Sequence, residues 1–319
     1  MSKKILITGG SGLVGRHMQD ILPEAVYISS TDYDLTNLDA VHTMMETHIP
    51  DTVIHLAARV GGLLDNMKYQ VEYLEENIQM NTNILNKCHE FNVDRVITTL
   101  STCIYPDKVD IYPMREDDLF SGPPPPSNFN YAMAKRCMAA HIDSYVSQYS
   151  KKWCYLIPCN LYGEYDKYSE HNSHFVAALI KKIHDATDNI TLWGTGKPLR
   201  QYMYGGDLAR IIKYMIDNDI TENFNVAPPY VYSINEMAKI ALKAINKNNF
   251  NINYDTSKPD GQFRKDVDTS KLLNIIGDFD FTSLEAGIKL TYNKIKNKQM
   301  LFIENPKLYK DYEKESKNN

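Results

Sequence analysis

Lys3-Lys4-Ile5-Leu6-Ile7-Thr8-Gly9-Gly10-Ser11-Gly12-Leu13-Val14-Gly15 reads as a strand, a glycine turn and the first turn of a helix. Lys3 to Thr8 is β-rich and apolar, and a helical pattern continues from the glycines through Leu22. This is the context that a dinucleotide site requires. Gly9 and Gly12 allow a tight turn and close approach of a pyrophosphate. Gly15 lets the helix pack near the strand, and the helix N-terminus faces the phosphates. Gly10, Ser11, Leu13 and Val14 complete the turn. The spacing is GxxGxxG rather than GxGxxG, so a glycine-rich turn without a ligand stands as the alternative reading.

Working outward, strands alternate with helices. Ala25 to Ser29 is the second strand, followed by a helix over Leu38 to His48 and a strand over Thr52 to Leu56. Tyr69 to Glu90 is a helix, Arg95 to Leu100 a strand, Tyr131 to Tyr149 a helix and Trp153 to Pro158 a strand. The order implies a doubly wound parallel sheet of the Rossmann α/β class, with ligands at the C-terminal strand ends. The Ala57-Ala58 turn, the stretch from Ser101 and Cys159-Asn160 fall at those ends. After about residue 160 the strands become short and scattered: Ile190 to Trp193, Phe224 to Val226 and Ile252 to Tyr254. The expected organisation is a nucleotide-binding domain over 1–165, with a possible return near 205–230. A smaller α/β substrate-binding domain follows over 166–304, then a charged tail over 305–319.

A chain of 319 residues can bury a sizeable core. Its net charge of −5 and the lack of a basic block before the tail argue against a nucleic-acid or membrane-surface partner. No apolar run reaches the ~18 residues of a membrane span. The five cysteines, Cys88, Cys103, Cys137, Cys154 and Cys159, form no CxxC pair, and the histidines form no HExxH. Neither disulfides nor a metal site is expected. With no signal peptide evident, a cytoplasmic location is expected.

The chemistry concentrates in two places. Ser101-Thr102-Cys103-Ile104-Tyr105-Pro106 puts a hydroxyl and a thiol two residues apart, so on an extended backbone both point into one cleft. Alone, the pair also reads as a polar strand end with an inert buried thiol. Tyr131 and Lys135 form a Tyr-x-x-x-Lys pair on one helix face. A lysine ammonium beside a phenol lowers its pKa from about 10 and suits it to proton transfer. Tyr254/Lys258 and Tyr292/Lys296 share the spacing. Of the three, only Tyr131 follows the Ser101 strand.

The glycine turn, Ser101, Tyr131 and Lys135 together resemble the extended, nucleotide-sugar-modifying branch of the short-chain dehydrogenase/reductases. Val60-Gly61-Gly62, Ser101 to Pro106, Asn160-Leu161-Tyr162-Gly163, Asn172-Ser173-His174, Trp193 to Arg200 and Lys258-Pro259-Asp260-Gly261 narrow the likeness to the GDP-L-fucose synthases, the 3,5-epimerase-4-reductases of GDP-4-keto-6-deoxy-D-mannose. The resemblance runs from about residue 3 to 298.

That resemblance implies a mechanism. A C4 ketone acidifies the hydrogens on C3 and C5, so one base and one acid on opposite ring faces invert both centres. Reduction of C4 then locks the result. Cys103 is the implied base and His174 the implied acid, although a histidine there also reads as a polar helix start. Ser101 and Tyr131 hydrogen-bond the reacting oxygen, and Lys135 holds the nicotinamide ribose. The implied cofactor site adds Asp34, Leu35, Ala57, Ala58, Thr99, Leu100, Thr102, Pro158, Cys159, Asn160, Leu161 and His174 to the glycine turn. The implied GDP-sugar site uses Asn160, Lys182, Trp193, Arg200, Lys258 and Asp260.

NADPH is the implied cofactor. Arg16 is the only basic side chain besides histidines between Gly15 and Val53, and Asp32 and Asp34 follow the second strand. Cys159 stands where a small hydroxyl residue is expected. Met133, Cys137, Ile142, Tyr145 and Val146 exceed what one sheet contact needs, and a homodimer through a four-helix bundle is implied. Two other readings compete. One is a different nucleotide-sugar epimerase or dehydratase that regenerates its cofactor. The other is a non-catalytic Rossmann protein, against which the full Ser, Tyr, Lys set argues.

Overall fold

The computed structural model describes residues 3–166, 173–258 and 260–304. Asn172, Pro259 and the tail over 305–319 lie outside the described residues. The first half runs β1 (Ile5–Thr8), α1 (Leu13–Ile21), β2 (Val26–Ile28), α2 (Leu38–His48), β3 (Thr52–His55), α3 (Leu63–Lys68), α4 (Gln70–Glu90), β4 (Arg95–Thr99), α5 (Phe129–Tyr149), β5 (Lys152–Pro158) and β6 (Asn160–Tyr162). The second half runs α6 (Phe175–Asp185), β7 (Asn189–Trp193), β8 (Leu199–Arg200), β9 (Tyr202–Tyr204), α7 (Gly205–Asp217), β10 (Phe224–Val226), β11 (Tyr232–Ser233), α8 (Ile234–Ala244), β12 (Asn251–Asp255), β13 (Arg264–Lys265), α9 (Ser270–Ile276) and α10 (Leu284–Glu304).

The central sheet has six strands in the order β10-β5-β4-β3-β1-β2, and every pair is parallel. Parallel strands carry helices on both faces, so the inner ones read as unbroken apolar runs. Leu6, Ile7, Val53, Ile54, Val96, Ile97, Leu156 and Ile157 accordingly lie in one core. Helix α1 packs with α7, while α4 packs with α2 and most extensively with α5. The chain returns to the sheet through α7 and β10, which pairs with β5.

A second apolar cluster gathers Val176, Leu179 and Ile183 of α6, Met237, Ala241 and Leu242 of α8, and Ile288 of α10. Small sheets surround it: β7 with β12, β8 between β11 and β13, and β6 with β9. Helix α8 starts sharply because Ser233 and Glu236 cap each other's backbone N–H, which satisfies two otherwise orphaned donors.

Two expectations are corrected. The backbone does not stay extended through Cys103. Leu100 N makes the last bond to β5, and Thr102–Ile104 then winds into a 3-10 turn capped by the Ser101 side chain. Ser101 and Cys103 therefore meet across a turn, not along a pleat. Ile142 is not part of an outward apolar face: it is fully buried against the sheet. The helix expected over Tyr69 to Glu90 is present as α4 from Gln70, and the short helix α3 precedes it.

Candidate active site

The glycine turn joins β1 to α1 at the C-terminal edge of the sheet. Gly9 has φ +73, and a Cβ there would lie 2.8 Å from Ala57 N. A Cβ on Gly15 would lie 2.3 Å from the Gly9 carbonyl oxygen and 2.7 Å from Gly10 Cα. Only bare backbone fits. No side chain caps α1, whose N-cap is Gly12, so its first N–H groups and its dipole are available to an anion. This cradle fits a dinucleotide pyrophosphate.

Behind the turn, a buried polar network replaces apolar packing. His55 Nδ1 lies 2.7 Å from Thr8 Oγ1, and His55 Nε2 lies 3.0 Å from Asn81 Oδ1. Burial, reinforced by the nearby Lys135 charge, pushes the His55 pKa down to about 4, so the ring is neutral. Beyond β2, Ser29 N and Oγ donate to Asp32 at 2.8 and 2.6 Å. Thr36 N and Oγ1 donate to Asp34 Oδ1 at 2.9 and 2.7 Å. Both carboxylates are thus engaged in their own turns. The Leu35 side chain is core, and its carbonyl accepts from Asn83 Nδ2.

Ser101, Tyr131 and Lys135 gather at the end of β4. Ser101 Oγ accepts from Cys103 N at 3.3 Å, and the hydroxyl also hydrogen-bonds the Cys103 thiol. Lys135 Nζ donates to Thr99 O at 2.8 Å and lies 6.0 Å from the Tyr131 ring centroid. Burial pushes the Lys135 pKa down to about 7. Burial pushes Tyr131 upward, and Cys103 and Tyr73 add to that. The expected lowering of the phenol by the lysine is therefore corrected. Desolvation of both groups dominates in this state, and the ammonium is turned to the Thr99 carbonyl. Tyr73 packs edge-on against Tyr131 at 6.4 Å between ring centroids, and its hydroxyl donates to Asp65 Oδ2 at 2.5 Å.

Cys103 is half-buried, and Lys265 Nζ donates to its Sγ at 3.0 Å. Burial alone would raise this thiol. Lys265, the Ser101 hydrogen bond and His174 outweigh burial and hold it below the ordinary thiol range. His174 is the N-cap residue of α6, as its sequence position suggests, but its side chain does not cap the helix. Instead its Nδ1 meets Asp166 Oδ1 at 3.2 Å. Cys159 is buried and burial pushes its thiol up, so it is an inert wall beside Asn160.

The remaining candidates lie further out. Asn160 Nδ2 donates to Gln201 O at 2.9 Å. Lys182 Nζ donates to Thr191 O. Trp193 is 55% exposed, with Lys258 Nζ 5.8 Å from the ring. Asp260 accepts from Thr195 N and Oγ1 at 2.6 and 2.8 Å and so clamps the Gly194–Gly196 turn. Arg200 is half-buried and within electrostatic reach of Cys103. The sequence reading missed Lys265, Asp166 and Tyr73. Asp166 lies eight positions from His174, but no local pattern marked any of the three.

Comparison with known proteins gives the family. Residues 5–227 match the model of the NAD dependent epimerase/dehydratase family. The chain is 38% identical to a GDP-L-fucose synthase of Dictyostelium discoideum, covering 90% of this chain and 93% of the relative. It is 36% identical to a GDP-L-colitose synthase of Yersinia pseudotuberculosis, covering 90% and 96%. A crystal structure of a GDP-L-fucose synthetase from Naegleria fowleri bound to NADP superposes with a TM-score of 0.84 at 34% identity, covering 95% and 93%. The chain therefore belongs to the NAD-dependent epimerase/dehydratase family and, within it, to the GDP-L-fucose synthases.

Proposed function

We propose that this protein is an NADPH-dependent epimerase–reductase that converts GDP-4-keto-6-deoxy-D-mannose to GDP-L-fucose. The observation that carries the reading is the placing of a thiol with a lowered pKa, Cys103, two residues from the Ser101 hydroxyl and within electrostatic reach of Tyr131 and His174. A reductase alone needs Ser101, Tyr131 and Lys135. The thiol–imidazole pair adds proton transfer at carbon.

Residues Gly9 to Gly15 would hold the cofactor pyrophosphate, and Lys135 and Tyr131 its nicotinamide end. When bound, the reduced nicotinamide supplies the hydride for C4. Arg16, exposed on α1, is the one Lys or Arg between Gly15 and Val53 in the sequence and is assigned to the 2′-phosphate, and Ser29 turns the Asp32 carboxylate onto its own N–H and hydroxyl. This supports NADPH, in line with the Naegleria relative.

Ser101 Oγ–H and the Tyr131 phenol donate to the C4 oxygen, where charge develops as an enolate forms. Cys103 removes a proton from C3 or C5, and His174 returns one from the opposite face. After both inversions Tyr131 gives its proton to the C4 oxygen. Its raised pKa suits that role, because a donor must hold its proton until the charge arrives. Arg200, Lys182, Trp193, Lys258, Asp260 and Asn160 are assigned to GDP-sugar binding. Residues 1–165 are read as the nucleotide unit, rejoined by 205–230, and 166–304 as the substrate unit.

We place the enzyme in the cytoplasm as a homodimer. Among the described residues no helix is long and apolar enough to cross a membrane. Met133, Val146 and Tyr149 leave α5 exposed beside α4, which supports a bundle of two helices from each copy. Sedimentation of Val146→Glu as a monomer would support that face, and an unchanged dimer would exclude it. The activity is tested by NADPH absorbance with GDP-4-keto-6-deoxy-D-mannose and by product stereochemistry. No NADPH oxidation above background would overturn the reading.

A further inference from the structure

The thiol at the site meets a cation supplied from far along the chain. Lys265 lies 162 positions from Cys103, yet its Nζ sits 3.0 Å from the sulfur. It is no loose surface lysine. Strand β13 pairs with β8 and sets Lys265 opposite Arg200. Arg264 grips Asp266 with two hydrogen bonds of 2.6 and 2.8 Å, and Val267 N donates to Gln201 Oε1 at 2.9 Å. The segment is tied to its surroundings by the β8 pairing, by Val267 N on Gln201 and by Met114 N, which donates to Asp266 O at 3.0 Å. The other charged or titratable groups that act on the thiol are Arg200, His174 and Tyr131. The imidazole of His174 meets charge of the opposite sign. Asp166 Oδ1 lies 3.2 Å from Nδ1, and that carboxylate side chain is 5% exposed.

We propose, on the epimerase reading above, that Lys265 and Asp166 are positioning residues that keep Cys103 and His174 as a thiolate–imidazolium pair, so that the pair is reset after each inversion. In one inversion a C–H bond of the sugar breaks and its proton passes to Cys103 sulfur. A new C–H bond then forms on the opposite face with a proton from His174. The pair is left as thiol and neutral imidazole. A second inversion requires one proton to pass back from sulfur to imidazole, directly or through water.

Ordinary thiol and imidazole affinities, ~8.5 against ~6.5, oppose that return by about 100-fold. A cation on the sulfur and an anion on the imidazole both favour it, and an opposite charge at this distance is worth about 1–3 pKa units to each group. Together they supply about 2–6 pKa units, enough to cancel the bias at the lower end and to reverse it above that. A surface fold with only one charged partner would reset one half of the pair, whereas here each half has its own.

The test uses the substrate-free protein. Cys103 alkylation by iodoacetamide is followed against pH, with Cys103→Ala as the blank for the other cysteines. Lys265→Met is expected to raise the midpoint by about one unit and slow alkylation at pH 7 about tenfold, and Lys265→Arg is expected to restore both. Lys265→Gln serves if the Met variant does not fold. The His174 ring-proton NMR titration, assigned with His174→Gln, is expected to fall by about one unit in Asp166→Asn. An alkylation profile of Lys265→Met that superimposes on the parent, or an unmoved His174 titration in Asp166→Asn, overturns the assignment. Shifted titrations in a protein that does not turn over the keto sugar would support the charge pairing and sink the functional reading instead.

Discussion

Lys135 Nζ donates to the Thr99 carbonyl at 2.8 Å, so the site lysine is held on the end of β4 and not on its tyrosine partner. Burial has already brought its pKa down to about 7. Near neutrality the free protein therefore holds Lys135 partly uncharged. A ribose hydroxyl and the phosphates of a dinucleotide favour the charged form, so binding must draw a proton onto the lysine. We expect NADPH binding to take up a fraction of a proton between about pH 7 and 9, with affinity falling as pH rises through that window. Calorimetry in buffers of different ionisation enthalpy reads this directly. Lys135→Met should abolish the proton uptake and weaken binding. Uptake that persists in the variant would assign the proton to another group.

On the proposed mechanism Cys103 and Tyr131 divide the chemistry, and single substitutions should separate the two halves. Cys103→Ser keeps the turn that Ser101 caps but exchanges the thiol for a hydroxyl of far higher pKa. Reduction should persist and yield the unepimerised 6-deoxy sugar. Tyr131→Phe should do the reverse. Loss of the proton donor is expected to slow NADPH oxidation by about 10²–10⁴-fold, while solvent deuterium still enters C3 and C5. NADPH absorbance and product NMR distinguish the two. Full-rate GDP-L-fucose formation by Cys103→Ser would remove the thiol from the mechanism.

These two halves were not equally legible in the amino-acid sequence. Gly9 to Gly15 and the Tyr131–Lys135 spacing are local patterns, in which the turn and the shared helix face follow from neighbouring residues. The β-rich runs of β1, β3, β4 and β5 are legible for the same reason, since strands buried on both faces have little room for polar residues. Lys265 is different, because a contact across 162 positions leaves no periodic trace. The extended geometry read into Ser101–Cys103 failed because the strand lost its sheet partner after Leu100, and a capped 3-10 turn then satisfied the backbone. Ile142 was misassigned because an apolar residue on a long helix does not declare which neighbour covers it.

His55 gives the fold a pH dependence of known sign. Its pKa falls from 6.5 in the unfolded chain to about 4 when buried between Thr8 and Asn81. The depressed value means that the folded state resists protonation. The stability associated with the neutral ring is complete above about pH 6.5 and is lost as pH falls toward 4. The gap is worth roughly 3 kcal/mol at most. Urea unfolding at stepped pH should show this loss, and His55→Gln should flatten it while lowering stability at pH 7 by about 1–3 kcal/mol through imperfect hydrogen bonding to Thr8 and Asn81. An equally steep acid loss in His55→Gln would place the responsible group elsewhere.

Gly15 offers the strictest test of the dinucleotide turn, because the obstacle there is backbone. A methyl group on Gly15 would sit 2.3 Å from the Gly9 oxygen and 2.7 Å from Gly10 Cα, and neither atom can rotate away as a side-chain tip would. Helix α1 must therefore retreat from β1, or the turn must open. Either change spoils the cradle for the pyrophosphate, and it also disturbs Val14 and Met18, which α1 buries in the core. Gly15→Ala should therefore lose NADPH affinity by at least tenfold, measured by fluorescence titration. Gly277→Ala, whose Cβ meets nothing within 4 Å although its φ of +73 carries its own backbone strain, is the control for a glycine replacement far from the turn. It should lower thermal stability modestly and leave NADPH affinity at the parent value. Equal affinities in the parent and Gly15→Ala would mean that the glycine turn does not seat the cofactor.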